Sequence, residues 1–312
     1  MWTIPEPAAE SNPADGLPAT RRQVYTRLAM RPGGILLRLV EGFVVRLVAA
    51  AMLLSLAAAA PARAGRETIS IPVTEPQPAT ITGDLYTPSG KGPYPAVVLF
   101  HGCGGVSPNV PAWALWLQSE GYAALVVDSF QGRGLRNLCA DTRPLTPAVR
   151  AADVYAAAAK LQAMGVVDGD RIAAMGFSHG GSTVLAAWRT QAKHPDAKLR
   201  ALIALYPGCG SQQPPPPDAA PLLILAGGKD DWTPAESCQT LADASREAGR
   251  PVTIVVYPDA RHHFDGVDLK RQVFVSIAKG GKGATMEYNP KAHEDSEKQV
   301  KQFLAAQLKA RS

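Results

Sequence analysis

A serine, an aspartate and a histidine follow one another along the second half of the chain, each in a distinctive local sequence. Ser178 is the central residue of Gly-Phe-Ser-His-Gly, which has the pattern G-x-S-x-G. Asp230 follows a Gly-Gly-Lys turn, and His262 lies in the segment Ala-Arg-His-His-Phe-Asp. A serine hydroxyl becomes a nucleophile when a histidine removes its proton and a carboxylate orients that histidine. The three residue types therefore indicate nucleophilic attack on an acyl group.

The sequence around Ser178 also has the context that this chemistry needs. A predicted strand, Ile172–Met175, runs directly into the serine turn, and a helical stretch of small residues follows it. The serine of such a turn is strained, so Gly176 and Gly180 must leave room for neighbouring backbone. The turn exposes the hydroxyl at the carboxyl end of a sheet, near the dipole of the next helix. Taken by itself, the pentapeptide also fits a plain Ser/Gly turn.

Short apolar runs recur along the chain and are separated by segments of helix length. Each run is continuous rather than alternating, as expected for strands buried on both faces of a parallel sheet. Alternation of such strands with helices predicts a doubly wound α/β domain. The runs are Ala96–Phe100, Ala123–Val127, Ile172–Met175, Ala201–Leu205, Leu222–Ala226 and Val252–Val256.

The candidate serine, aspartate and histidine each follow a separate predicted strand, so a parallel sheet brings their loops to one edge. Two of the positions are doublets. Asp230 is preferred to Asp231 because it comes first after the turn, which leaves Asp231 as a helix-capping or surface carboxylate. His262 is preferred to His263, because the neighbouring Phe264 indicates a packed or exposed ring at His263.

A glycine-rich loop, His101-Gly-Cys-Gly-Gly105, follows the strand Ala96–Phe100. Acyl transfer needs hydrogen-bond donors for the oxyanion that develops on the carbonyl, and loops of the H-G-G-G type supply one of them. We expect the backbone N–H groups of Cys103 and His179 to fill this role. The alternative, a Cys103 thiol nucleophile, is disfavoured because Cys103 lies off the serine turn and has no motif-defined base.

The ordered set of motifs resembles the dienelactone hydrolase family of α/β-hydrolases over about residues 80–310. This resemblance implies the α/β-hydrolase fold, a doubly wound, mostly parallel sheet with helices on both faces. It also implies hydrolysis of carboxylic esters or lactones through an acyl-enzyme, in which Ser178 attacks, His262 relays the proton and Asp230 orients the imidazole. The motifs are H-G-C-G-G, D-S-F-x-x-R-G, G-F-S-H-G-G, Y-P-G-C, G-x-x-D-D-W-T-P and Y-P-D-A-x-H-x-F-D.

The chain departs from the family's pattern at two places. The namesake enzymes have a cysteine at the nucleophile position, whereas this chain has Ser178, which favours ordinary esters over dienelactones. Family members hold a substrate carboxylate with arginines, and Arg133 matches one such position only approximately, so a structural ion pair is the competing interpretation. Trp232 is expected to line the acyl pocket or to pack beside it.

The four cysteines lie after the apolar N-terminal segment, and an even number in an exported chain indicates disulfides. Three pairings are compatible with the sequence, and four buried thiols are the alternative. The fold implied by the resemblance places all four cysteines at the catalytic edge of the sheet. Pairing of adjacent loops there predicts the bridges Cys103–Cys139 and Cys209–Cys238, which would stabilise the oxyanion and acid loops.

The N-terminal segment has the pattern of a secretory signal. Basic residues precede the apolar run Leu47–Ala60, and Pro-Ala-Arg-Ala follows it, which predicts cleavage after Ala64. The run is short of the roughly 20 residues that a membrane-spanning helix needs. We therefore expect a periplasmic or secreted protein without a membrane span. An uncleaved signal that anchors the protein is the alternative, because Ile35–Val48 is also largely apolar.

The composition is that of a globular protein, and the charge distribution does not favour a nucleic-acid-binding protein. The chain has 312 residues, 46% of them hydrophobic and 19% charged, which is typical of a globular protein. The expected organisation is an extension with a signal peptide in residues 1–64, with translation starting at Met1 or at Met30, and one α/β-hydrolase domain in residues 65–312. The net charge is +5, but residues 65–312 contain 25 basic and 23 acidic residues. Nucleic-acid binding requires a more concentrated basic surface.

Neither a cofactor nor a metal ion is expected. The sequence contains no phosphate loop or dinucleotide fingerprint, and the cluster of His262, His263 and Asp265 lacks regular metal-ligand spacing. The expected partner is therefore a small ester or lactone substrate. Two other functions remain open at this point: an acyltransferase that uses the same three residues, and a ligand-binding protein on a hydrolase fold. The second predicts loss of a catalytic residue, yet all three positions are filled.

Overall fold

An eight-stranded sheet forms the centre of the computed structural model, which describes residues 64–312 apart from 198, 211–214, 268, 276–282 and 309–312. Residues 1–63 of the predicted leader, which was expected to end at Ala64, lie outside the described residues. The strands of the sheet are β1 (Gly65–Val73), β2 (Ala79–Thr87), β3 (Tyr94–Phe100), β4 (Ala123–Asp128), β5 (Val167–Phe177), β6 (Ala201–Leu205), β7 (Leu222–Gly227) and β8 (Val252–Tyr257).

The sheet is mostly parallel, as predicted. Its strand order is β1-β2-β4-β3-β5-β6-β7-β8, in which β2 runs antiparallel to both β1 and β4 and the remaining neighbours are parallel. A separate antiparallel hairpin of β9 (Gln272–Val275) and β10 (Gly283–Met286) follows β8.

Helices cover both faces of the sheet. Because successive strand residues point to opposite faces, Val98 and Phe100 of β3 pack with the helices on one face, whereas Val97 and Leu99 pack with the helices on the other. This two-sided burial explains the continuous apolar runs of the central strands, and it confirms the doubly wound α/β fold. The helices are α1 (Asn109–Ser119), α2 (Pro147–Gln162), α3 (His179–Thr190), α4 (Ala235–Glu247) and α5 (Pro290–Gln307). No helix in the described part of the chain combines the length and apolarity that crossing a membrane requires.

The register of the parallel strands brings four loops to one edge of the sheet. Phe100 at the end of β3 pairs with Gly176 of β5, and Gly227 at the end of β7 pairs with Tyr257 at the end of β8. The glycine-rich loop, the serine turn and the loops that carry Asp230 and His262 therefore leave the sheet side by side, at the edge where open α/β sheets bind ligands.

Candidate active site

Ser178 lies in the turn between β5 and α3, with backbone angles φ 52° and ψ −115° that L-residues rarely adopt. The turn is closely packed. A Cβ on Gly176 would lie 2.2 Å from the carbonyl oxygen of Gly180, and one on Gly180 would lie 2.0 Å from that of Phe100. Only glycine fits at both positions, so these two residues allow the start of α3 to approach the ends of β3 and β5.

The structure brings Ser178, His262 and Asp230 together in one hydrogen-bonded chain. The Ser178 hydroxyl Oγ lies 2.9 Å from His262 Nε2, and His262 Nδ1 lies 2.8 Å from Asp230 Oδ2. Only 2% of the His262 surface is exposed. Since the Asp230 carboxylate accepts a hydrogen bond from Nδ1–H, the Nε2 nitrogen carries no proton and is free to accept the hydroxyl proton of Ser178.

The Asp230 carboxylate is held by the backbone of its own loop. Its Oδ1 accepts hydrogen bonds of 2.8 Å from the amides of Trp232 and Thr233, and the Thr233 hydroxyl lies 2.9 Å from its Oδ2. Burial by itself would raise the pKa of Asp230, but His262 and the backbone hydrogen bonds hold this pKa below its ordinary value. The carboxylate is therefore ionised at neutral pH.

Asp231 and His263, the second members of the two doublets, do not belong to the hydrogen-bonded chain of Ser178, His262 and Asp230. Asp231 accepts hydrogen bonds from the Thr285 amide and hydroxyl, at 2.7 and 2.9 Å, and so links the acid loop to β10. His263 has a left-handed backbone (φ 60°), and its ring centroid lies 6.1 Å from that of Tyr206. Burial lowers the pKa of His263.

Asp265, which the sequence suggested only as a member of a weak metal cluster, is a second buried carboxylate beside the site. Asp265 accepts hydrogen bonds from the Tyr206 hydroxyl (2.6 Å), Trp113 Nε1 (2.8 Å) and Asn109 Nδ2 (3.0 Å). The ring of Tyr206 in turn meets the His262 ring edge to face, with 4.8 Å between centroids. Asp265 thus fixes the histidine loop against α1 and against the residue that follows β6. In the sequence, only the position of Asp265 three residues after His262 indicated a role at the site, because its hydrogen-bond donors lie far away along the chain.

The glycine-rich loop lies beside the serine. A Cβ on Gly102 would lie 3.6 Å from the Ser178 Cβ, and Gly102 and Cys103 line the same cavity as Ser178. Helix α3 begins at His179, so the His179 amide has no acceptor within its own helix. The two segments expected to supply oxyanion donors therefore both border Ser178, the candidate nucleophile.

A cavity of about 230 Å³ opens at Ser178 and His262. Much of its wall is apolar or aromatic, and Trp232 contributes to it with its ring centroid 5.0 Å from that of His262. The lining residues are Gly102, Cys103, Gly104, Gly105, Ser107, Asn109, Asn137, Cys139, Phe177, Ser178, Tyr206, Trp232, His262, His263 and Met286. Among the residues that the structure describes, no group of three or more His, Cys, Asp or Glu side chains could hold a metal ion.

Arg133 is not brought to this cavity. Its guanidinium forms a buried bidentate ion pair with Asp153, at 2.7 and 3.0 Å, and donates to the Ser129 carbonyl at 2.7 Å. A structural ion pair of this kind was the interpretation that competed with a carboxylate clamp for Arg133. Because its donors are directed to Asp153 and Ser129, the structure gives no support to Arg133 as a substrate-binding residue.

Two disulfides are present. Cys103 is joined to Cys139 and Cys209 to Cys238, with Cα separations of 4.8 and 5.1 Å. The first bridge joins the glycine-rich loop to the loop after β4, and both of its cysteines line the cavity. The second joins the segment after β6 to α4.

A doubly wound sheet with a serine on a strained turn, followed by an aspartate and a histidine on later loops, defines an α/β-hydrolase. The family model described as the dienelactone hydrolase family matches residues 81–308. The chain therefore belongs to the dienelactone hydrolase family, and the protein is a carboxylic ester hydrolase.

Solved structures share the fold. A putative dienelactone hydrolase from Klebsiella pneumoniae is 21% identical, with a TM-score of 0.57, over 77% of this chain and 99% of that one. A dienelactone hydrolase-like promiscuous phosphotriesterase from metagenomic libraries is 22% identical, with a TM-score of 0.61, over 78% and 99%. A thermostable esterase from Pseudomonas putida is 17% identical, with a TM-score of 0.58, over 80% and 84%. No curated protein sequence matched this chain.

The buried side chain of His179 should make the free energy of unfolding depend on pH. Burial, helped by the charge of Arg150, lowers the pKa of His179 from 6.5 to about 3, so the folded protein keeps this side chain neutral while the unfolded chain takes up a proton below pH 6.5. We expect the free energy of unfolding to fall as the pH is lowered from 6.5 toward 3. In His179→Asn this fall should be shallower by up to about 1.4 kcal/mol per pH unit.

Urea denaturation of both proteins at several pH values measures these slopes. His101 remains in the variant, and its pKa is also lowered by burial, so a residual slope is expected. Equal slopes for the two proteins between pH 6.5 and 4 would contradict the expectation.

Proposed function

We propose that this protein hydrolyses carboxylic esters or lactones through a covalent acyl-enzyme formed on Ser178. The observation that carries the proposal is the continuous hydrogen-bonded chain from the Ser178 hydroxyl through His262 to the Asp230 carboxylate. The chain ends in an ionised, buried carboxylate and begins at a hydroxyl that faces a cavity, which is the arrangement that an activated serine requires.

In the first half of the reaction, His262 Nε2 removes the Ser178 proton as the serine oxygen attacks the carbonyl carbon. The negative charge that develops on the carbonyl oxygen is stabilised by the N–H groups of Cys103 and His179. When the tetrahedral intermediate collapses, the bond to the alcohol oxygen breaks and the alcohol leaves with the proton held by His262. The acyl group stays on Ser178 as an ester.

In the second half, a water molecule attacks the acyl-enzyme and gives its proton to His262. Collapse of the second tetrahedral intermediate breaks the bond to Ser178, which recovers its proton from His262 as the acid leaves. In both halves Asp230 keeps the imidazole oriented and stabilises its protonated form. The Trp232 and Thr233 amides keep that carboxylate in place.

The cavity limits the substrates. Its small volume and the aromatic wall of Phe177, Tyr206 and Trp232 suit a short apolar acyl or alcohol group. The serine at the nucleophile position, where the namesake enzymes have cysteine, agrees with ordinary short esters as substrates.

The proposed catalytic triad of Ser178, His262 and Asp230 can be tested by substitution, with the neighbouring Asp231 as the control. Ser178→Ala and His262→Ala should lower kcat for p-nitrophenyl acetate by about 10⁴-fold or more, and Asp230→Asn by about 10⁴-fold, because the imidazole loses its orientation. Asp231→Asn should keep kcat within about threefold of the wild type, since Asp231 contacts β10 and not His262.

Steady-state kinetics of the four folded variants measure these changes in kcat. A comparable loss of kcat in Asp230→Asn and Asp231→Asn would show that the contact of Asp230 with His262 does not account for the loss of activity. Full activity in Ser178→Ala would exclude this serine as the nucleophile.

The two disulfides give a matched comparison, since they close loops of similar length, with sequence separations of 36 and 29. Replacing either pair by serines should lower the free energy of unfolding by about 2–4 kcal/mol. Replacing Cys103 and Cys139 should also lower kcat by about tenfold or more, because this bridge holds the loop that carries the Cys103 amide. Replacing Cys209 and Cys238, neither of which lines the cavity, should leave kcat within about threefold.

Urea denaturation and kinetics at a temperature where both double variants are folded measure the two quantities. Equal losses of kcat would indicate that the first bridge has only a structural role.

We also propose that the protein works outside the cytoplasm. Two disulfides are typical of an oxidising compartment, and the apolar run followed by Pro-Ala-Arg-Ala has the form of a cleavable secretory signal. After expression of the full chain in a Gram-negative host, the extracytoplasmic protein should begin at Gly65 when its N-terminus is sequenced. Recovery of the activity only in the membrane fraction, with an N-terminus before Leu47, would instead support an uncleaved anchor.

A further inference from the structure

A buried arginine lies beneath the candidate active site. Arg150 belongs to α2 and is 0% exposed. Its Nη1 donates to the carbonyl oxygen of His101 at 2.9 Å and lies 3.0 Å from His179 Nδ1. Because a guanidinium only donates hydrogen bonds, His179 Nδ1 must accept, and the neutral His179 ring carries its proton on Nε2. One nitrogen of Arg150 thus contacts two different segments of the chain.

Those two segments are the ones that carry the proposed oxyanion donors. His101 precedes Cys103 by two residues at the start of the glycine-rich loop, and the second contact is with the side chain of His179 itself. Close backbone packing joins the same segments, since a Cβ on Gly180 would lie 2.0 Å from the Phe100 carbonyl and 2.6 Å from that of His101. Arg150 adds side-chain hydrogen bonds across this junction.

The surroundings of Arg150 keep its guanidinium charged and place two aromatic rings against it. Burial lowers the pKa of Arg150 to about 9, with Asp153 opposing that shift, so the side chain remains protonated at neutral pH. The rings of Phe130 and Phe100 lie 5.1 and 5.8 Å from Cζ and provide cation–π contacts. Asp153 itself is hydrogen-bonded to Arg133, and no carboxylate among the described residues forms a direct ion pair with Arg150.

We propose that Arg150 is a positioning residue for the oxyanion hole. It holds the glycine-rich loop and the first turn of α3 at the separation at which the Cys103 and His179 amides can both reach the oxygen of a tetrahedral intermediate. The proposal rests on the acyl-enzyme function proposed above. Interactions with this oxygen strengthen in the transition state, so loss of Arg150 acts on kcat and on the binding of tetrahedral adducts, and much less on KM.

Arg150→Met and Arg150→Lys test this role, with Tyr155→Phe as the control. Methionine keeps the length of the apolar stem without the charge, and lysine keeps the charge without the rigid fork of donors. Tyr155 lies on the same helix, is buried, and donates to the Ala187 carbonyl of α3. Its substitution by phenylalanine removes a buried hydrogen bond between α2 and α3 and leaves the hydrogen bonds of Arg150 to the oxyanion segments in place.

The measurements use the protein with both disulfides formed. They are the thermal midpoint, kcat and KM for p-nitrophenyl acetate per site labelled by a fluorophosphonate, and the inhibition constant of phenylboronic acid, which forms a tetrahedral adduct with an activated serine. Complete removal of one oxyanion donor in other hydrolases costs about 10²–10³-fold in kcat. In Arg150→Met both donors remain and are only displaced, so the loss should be smaller, about 10–100-fold.

The expected result is a parallel weakening of phenylboronic acid binding in Arg150→Met, with KM within about threefold. Arg150→Lys should show a smaller loss of kcat. Tyr155→Phe should lower the thermal midpoint while keeping kcat and phenylboronic acid binding at wild-type values.

Wild-type kcat and phenylboronic acid affinity in folded Arg150→Met would overturn the proposal, as would an equal loss of kcat in Tyr155→Phe. If Arg150→Met does not fold, Arg150→Lys decides by the same two readouts. A wild-type protein that is not labelled at Ser178 would contradict the proposed function itself, whereas labelling with unchanged Arg150 variants would contradict only the role of Arg150.

Discussion

The close approach of the start of α3 to the ends of β3 and β5 is the constraint on which the rest of the site depends. Gly176 and Gly180 permit it, because a Cβ at either position would overlap a neighbouring carbonyl oxygen. The approach forces Ser178 into a left-handed backbone conformation that points its hydroxyl at His262. It also brings the glycine-rich loop against the first turn of α3. The proposed nucleophile and the proposed oxyanion donors are thus positioned by one backbone contact.

Charge is arranged around this contact with opposite signs on its two sides. The buried carboxylates of Asp230 and Asp265 lie on the side of the imidazole, the first in contact with His262 and the second bonded to Tyr206, whose ring packs on His262. The guanidinium of Arg150 and the N-terminus of α3 lie on the side of the glycine-rich loop. In the proposed reaction the imidazole becomes positive while the carbonyl oxygen becomes negative. The fixed charges therefore favour the separation of charge that the transition state requires.

The sequence predicted the features that depend on local pattern. Continuous apolar runs located the central strands, because burial on both faces removes alternation, and the order of the motifs brought Ser178, Asp230 and His262 to one edge. The hydrogen bonds of Asp265 and Arg150 were not predictable, since their partners lie far away in the chain or are backbone carbonyls. For Arg133, the ion pair with Asp153 depends on how the loop after β4 folds over α2, and a motif does not determine that.

The proposed mechanism requires that the hydrogen-bonded chain activates Ser178. The most direct test is to treat the disulfide-bonded protein with a fluorophosphonate, measure its intact mass and map the modified peptide, in parallel with His262→Ala. We expect one adduct per chain, located on Ser178 and absent from the variant. No adduct on folded wild-type protein, or an adduct that forms equally fast in His262→Ala, would contradict it.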